Sequence, residues 1–188
     1  MPAPQTRLRL ATYNVEWFNA LFDDHGRLLE DAEWSARHNI TRADQLTALG
    51  IVFSAMNADG IMVIEAPDSN GKRSSVKALE RFAAKYGLRA RKAVTGFKSE
   101  TEQEISFLFD PDRLTAHHDP KGELQGKRGQ VSVPRFDGTF RMDVDADAAP
   151  EPIRFSKPPL ELAITVDGHH MRLIGVHAKS KAPHGART

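Results

Sequence analysis

Three residues of this chain stand where an apolar run gives way to a polar one. They are Asn14 in LRLATYNVEWF (Leu8 to Phe18), Glu65 in GIMVIEAPDSNG (Gly60 to Gly71) and His177 in MRLIGVHAKSK (Met171 to Lys181). A carboxylate after Ile61, Met62, Val63 and Ile64 stands at the rim of a sheet, where it can leave the core and bind an ion. The plain alternative for Glu65 is a solvated edge glutamate. Asn14 has its own plain alternative, the satisfaction of a local turn. His177 is followed by Ala178, Lys179, Ser180 and Lys181, so a group that titrates near neutrality lies beside cations, which suits an anionic substrate. Its bland alternative is a half-buried histidine bonded to backbone. The pairs His117-His118 and His169-His170 sit in strand-like stretches, where alternation sends the members of each pair to opposite faces and offers no two adjacent ligands.

The elements that must position these residues follow from periodicity. Leu8, Leu10 and Thr12 alternate with Arg9 and Ala11 and predict a strand that delivers Asn14 to a sheet edge. Asn19 to Asn39 is polar and irregular and reads as a loop around Asp23, Asp24, His25 and Gly26. Thr41 with Asp44 forms a capping-box pattern, and Leu46, Leu49, Phe53 and Met56 recur at helical spacing, predicting a helix of about four turns. Gly60 to Ile64 is the continuous apolar run of a strand buried on both faces. Val76, Leu79, Ala83 and Tyr86 predict a second helix, with Ser75 as its cap and Gly87 as its stop. Ile105, Phe107 and Phe109 predict a strand before Asp110-Pro111, with Leu114 to His118 as its partner. Asp137-Gly138 and Asp167-Gly168 each separate two strand-like runs and predict hairpins. Asp143 to Pro152 reads as an acidic loop. The sum is a mixed α/β chain whose later strands pair antiparallel, with helices covering the sheets.

Composition sets the outer limits. With 188 residues and 40% hydrophobic content, one domain with a sizeable core is expected. The 26 basic and 25 acidic residues nearly cancel, so the surface is charged but balanced, and nucleic acid is allowed without being demanded. The chain has no cysteine, which excludes a disulfide framework, a thiol nucleophile and a cysteine metal cluster. MPAPQTRLRL carries no apolar signal region and no stretch is long enough to span a bilayer, so a soluble, cytoplasmic protein is expected, although a trimmed signal peptide would leave no trace.

In order and spacing, TYNVEWF, DGIMVIEA, EISFLFDPDRL and LIGVHAKSK together resemble the endonuclease/exonuclease/phosphatase superfamily, which includes DNase I-like nucleases, abasic-site endonucleases, sphingomyelinases and inositol phosphatases. The resemblance covers most of the chain. It implies a DNase I-like α/β (α+β) sandwich: two mixed or antiparallel sheets packed together, flanked by helices, forming a single domain over residues 1–188. It implies a metal-dependent phosphoesterase that hydrolyses a phosphodiester or phosphomonoester when complete. The competing expectation is a catalytically inactive DNase I-like binding module. Asn14 would be the asparagine at the metal and phosphate end of the first strand, Glu65 the metal carboxylate, and His177 the histidine that contacts the scissile phosphate, helped by Lys179. Gln103 or Glu104, just before the FLF strand, would orient that histidine from behind. Mg²⁺ is the expected ion, and Mn²⁺ or Ca²⁺ would accept the same oxygen ligands.

The departures from the family pattern are specific. A glutamine commonly precedes the metal glutamate where this chain has Ile64, and Ala66 and Pro67 follow. The Gly-Asp-x-Asn and late Ser-Asp-His segments of family enzymes are not found. The chain is therefore expected to be the N-terminal two-thirds of the domain, inactive alone, with sheet edges open to self-association. The expected partner is a phosphoester, with nucleic acid, lipid headgroup and small phosphoester all open. Lys121, Lys127 and Arg128 in KGELQGKRG offer a phosphate-contacting loop or simply a solvated one.

Overall fold

The computed structural model describes residues 8–35, 39–101, 103–123, 135–142 and 151–178. In chain order the elements are β1 (Leu10–Asn14), a 3₁₀ turn (Phe18–Leu21), α1 (Arg42–Met56), β2 (Gly60–Pro67), α2 (Ser75–Lys85), β3 (Lys92–Thr95) and β4 (Gln103–Phe109). Five strands follow: β5 (Leu114–His118), β6 (Phe140–Met142), β7 (Glu151–Ile153), β8 (Leu160–Val166) and β9 (His169–Gly175).

Both helices start where capping chemistry allows. The Thr41 hydroxyl oxygen accepts from the Asp44 amide at 3.1 Å and donates to the Asp44 carboxylate at 2.7 Å. At α2 the cap is Ser74, whose hydroxyl accepts from the Lys77 amide at 3.4 Å, and not Ser75 as expected. Ser75 is fully buried instead, its Oγ 3.0 Å from Ser106 Oγ, which ties the first turn of α2 to β4. Gly87 follows the end of α2, as predicted.

Three layers result. The first sheet has the order β1-β2-β4-β3, with β1 parallel to β2 and the other pairs antiparallel. One face of it, with Ile61, Val63 and Leu108, packs against α1, α2 and the 3₁₀ turn. Phe82 meets both Phe18 and Phe53 there edge to face, with centroids 5.1 Å apart in each pair. Each such ring contributes about 1.5–3 kcal/mol of burial. The other face, with Met62, Ile64, Ile105 and Phe107, packs against Leu114, Leu160, Leu162, Ile164 and Val166 of the antiparallel sheet β5-β8-β9. The β8–β9 turn has Asp167 at φ 49 and Gly168 at φ 78, the paired left-handed residues of the predicted two-residue hairpin.

Several expectations are corrected. β5 does not pair with β4: it crosses to the second sheet and pairs with β8, while the partners of β4 are β2 and β3. The crossing is anchored by Asp110, whose amide donates to the Asp59 carbonyl. The Asn19 to Asn39 stretch is not merely a solvated loop, because Leu21 and Phe22 plug the helix-side core beside Phe18. The inward face of β1 is Ala11 and Tyr13, and Leu10 is exposed. β6 pairs with β7, so Glu151 and Pro152 belong to a strand. Residues 131–134 before the Asp137-Gly138 turn, and 143–150 of the acidic stretch, lie outside the described residues. Among the described residues there is no helix long and apolar enough to cross a membrane.

Candidate functional site

The parallel pairing of β1 and β2 brings their C-terminal ends together, with Asn14 opposite Ile64 and the Val15 amide donating to the Ile64 carbonyl at 3.0 Å. At that point β2 bulges. Its register against β4 passes from Ile64–Ile105 to Ala66–Glu104 and leaves Glu65 unpaired at φ 62. Ile61 and Val63 point to the helix-side core, so strict alternation would drive Glu65 into it as well. The bulge gives that place to Ala66, which is fully buried there, and turns the carboxylate outward.

His177 arrives from the other sheet, just beyond the end of β9. The approach depends on Gly175: a Cβ at that position would lie 2.5 Å from Met62 Sδ and 2.9 Å from Ile105 Cγ2. Without a side chain, β9 can close onto β2 and β4, and His177 Nε2 reaches 3.0 Å from Glu65 Oε1. Asn14 Nδ2 donates to the same oxygen at 3.3 Å, while Asn14 Oδ1 accepts from the Glu16 amide at 3.0 Å. Gln103 Nε2 donates to Glu65 Oε2 at 2.9 Å, and Lys157 Nζ donates to Gln103 Oε1 at 2.6 Å. Burial alone would raise the Glu65 carboxyl. Hydrogen bonds from His177 and Asn14, with the charge of Lys157 and the Trp17 amide, outweigh it and hold the pKa below the ordinary glutamate value.

These groups open on a cleft of about 990 Å³ lined by Asn14, Glu16, Trp17, Glu65, Gln103 and His177 and by the segment Ile153 to Lys157. Among the described residues, six non-glycine residues have positive φ: Asn39, Asn57, Asp167, Glu16, Trp17 and Glu65. The first three are types that tolerate the left-handed region. Glu16, Trp17 and Glu65 are not, and all three line this cleft. Strain of about 1–3 kcal/mol at such a residue persists only where the surroundings enforce it. Here the enforcement is the bulge at Glu65 and the buried Val15 and Phe18 on either side of Glu16-Trp17.

Of the residues predicted from sequence, Asn14, Glu65, His177 and Gln103 therefore meet. Gln103 holds Glu65 rather than His177. Glu104 does not reach the histidine: on the opposite face of β4, its Oε1 accepts from the Ser69 amide at 3.2 Å and its Oε2 from the Ser99 amide at 3.0 Å. Burial raises its pKa against those two amides. Its place is beneath the rim, holding the loops after β2 and β3. Lys179, Lys127 and Arg128 lie outside the described residues. His117, His169 and His170 are exposed away from the cleft, and His118 packs on Phe97. Lys157, Trp17, Arg154 and Phe155 escaped sequence reasoning. They sit on irregular connections whose geometry no periodicity encodes.

Among the described residues no group of three or more His, Asp or Glu side chains forms a metal cage. The oxygen donors among the residues at the cleft are the central Glu65 carboxylate, Glu16, and Asn14 Oδ1, which also accepts from the Glu16 amide. That set fits a hard divalent ion that takes one or two protein oxygens and completes its shell with water and substrate oxygens. It does not fit a closed structural site. Comparison with protein-family models, curated proteins and solved structures finds no match to this chain.

Proposed function

We propose that the chain carries the metal and phosphate side of a DNase I-like phosphoesterase site, hydrolysing a phosphodiester or phosphomonoester in the complete protein. The observation that supports this most is the bulged, strained Glu65, turned out of the core into a cleft and hydrogen-bonded there by Asn14 and His177. A structural glutamate needs no such backbone distortion. Glu65, with the Asn14 amide beside it, would hold Mg²⁺, or Mn²⁺ or Ca²⁺ in its stead. Such an ion would supply Lewis-acid stabilisation of charge developing on phosphoryl oxygens.

The chain's own groups supply the rest. The Glu65 carboxylate can only accept, so the His177 Nε2 that meets it is the donor and directs its proton at Glu65 Oε1. Once a phosphate oxygen takes the place of Glu65 Oε1, that N–H donates to it and stabilises the anion. Gln103, clamped by Lys157, keeps Glu65 from turning with the exchange, and Lys157 adds positive charge where a phosphoester would sit.

The test is hydrolysis of a generic phosphodiester and of plasmid DNA, with and without Mg²⁺, by this chain and by the full-length product of its reading frame. Metal-dependent cleavage that falls about a hundredfold or more in Glu65→Gln is expected of the complete protein. Cleavage indifferent to chelator or to Glu65→Gln would sink the reading. Metal-dependent binding of the same substrates with no cleavage by any form would favour an inactive binding module.

A further inference from the structure

We infer that the cleft contains a subsite for a planar ring attached to the phosphoester, formed by Trp17 and Phe155. The inference rests on the phosphoesterase reading above. Trp17 is 51% exposed and Phe155 42% exposed, and both line the Glu65 cleft from separate segments. Exposure alone singles out neither, since Trp34 is 67% exposed and lies elsewhere. Trp17 differs in its backbone, at φ 62 and ψ 26, a region that bulky residues rarely occupy. Its carbonyl accepts from the Ala20 amide at 3.0 Å, and the fully buried Phe18 and Leu21 follow, so the chain enters the core immediately after an indole that is left outside it.

Phe155 is held by a separate support. Phe136 and Phe140 meet its ring edge to face, each at 5.5 Å, with interplanar angles of 86° and 89°. The same segment brings cations: Arg154 lies exposed next to it, 3.5 Å from the Glu100 carboxylate, and Lys157, two residues on, reaches toward Glu65 through Gln103. Two half-exposed aromatic rings beside cations, in the cleft where the phosphoester would bind, match a ligand with a flat π-system next to a phosphate. The chemical class is a phosphoester bearing a heteroaromatic ring, as a nucleotide unit does. A headgroup or sugar phosphate with only aliphatic substituents would leave both rings unused.

The chain has two tryptophans, so in a Trp34→Phe background tryptophan emission reports Trp17 alone. Titrating that variant with adenosine monophosphate and with ribose 5-phosphate, in the presence of Mg²⁺, separates ring from phosphate. The expected result is quenching by the nucleotide, with affinity about tenfold or more above that for the sugar phosphate. In Phe155→Ala, made in the same background, the preference should shrink severalfold, while ribose 5-phosphate binding stays unchanged. Equal affinity for the two ligands with no nucleotide-specific quenching would overturn the ring subsite and leave the phosphoester reading standing. Failure of both ligands to bind, measured also by calorimetry, would overturn the subsite and the reading beneath it together.

Discussion

β2 carries a polar cluster at each end, and the two are built on opposite principles. Before its first residue, Asp59 accepts from the Arg9 amide at 2.7 Å and from Arg89 at 3.1 Å, and the same Arg89 donates to Asp110 at 2.5 Å and to Asn57 Oδ1 at 2.8 Å. Asp59 and Asp110 are buried, and the helix C-cap at Asn57 supplies a further acceptor to Arg89 through its carbonyl. At the other end Glu65 is also bonded at both oxygens, yet its partners are neutral amides and a histidine, its backbone is strained, and it faces an open cleft. The first cluster is compensated and closed, which is what holding a chain crossing between two sheets requires. The second can exchange its partners for a ligand, which is what binding requires.

The two ends of β2 should differ most in Arg89→Leu, which leaves Asp59 and Asp110 buried without their shared guanidinium. We expect a loss of about 3–5 kcal/mol in chemical denaturation, with no corresponding loss at Glu65→Gln, whose cost should stay within about 1.5 kcal/mol. Equal losses at the two ends would erase the distinction. Gly175→Ala comes next, at about 1–3 kcal/mol, because its Cβ overpacks Met62 and Ile105. Unlike other core overpacking, it should also carry His177 away from Glu65, visible by NMR as changed chemical shifts of the His177 ring and the Glu65 side chain. Glu104→Gln should cost about 1–3 kcal/mol, since an amide cannot accept from both Ser69 and Ser99 and presents a donor to one of them.

The smallest effect is also the most diagnostic, because Glu65 and Glu104 shift in opposite directions. The lowered pKa of Glu65 gives stability that is present above the unfolded glutamate value and lost as pH falls through its folded value. The raised pKa of Glu104 gives stability that is present below the unfolded value and lost as pH rises through its folded value. Stability measured from about pH 3 to 7 should therefore show the penalty of Glu65→Gln shrinking toward acid and that of Glu104→Gln growing. Parallel profiles would mean that the two carboxylates do not occupy the opposed settings described above.

Much of the scaffold was legible in the sequence where one local rule decided the outcome. The Thr41 cap, the helical spacing of Leu46, Leu49 and Phe53, the apolar run of β2 and the Asp167-Gly168 hairpin all lie where periodicity and turn chemistry set them. The pairing of β5 was not legible, because a strand's partner depends on long-range packing, and Leu114 finds its core in the second sheet. β3 is too short for a period to be visible. At the candidate site, Asn14, Glu65 and His177 could be named because each ends an apolar run. The bulge that aims Glu65 could not, because Ile64-Glu65-Ala66 reads the same with or without it. Lys157 and Phe155 reach the cleft from the connection between β7 and β8, where position is set by tertiary contacts such as the Phe136 and Phe140 rings.

Site-resolved metal binding probes the Glu65 site most directly: titration of Mn²⁺ into the chain and into Glu65→Gln, read by paramagnetic broadening of NMR signals. Saturable broadening centred on Asn14, Glu65 and His177, reversed by Mg²⁺ and abolished by Glu65→Gln, is the expected result. Broadening spread over surface carboxylates, or unchanged by Glu65→Gln, would contradict it.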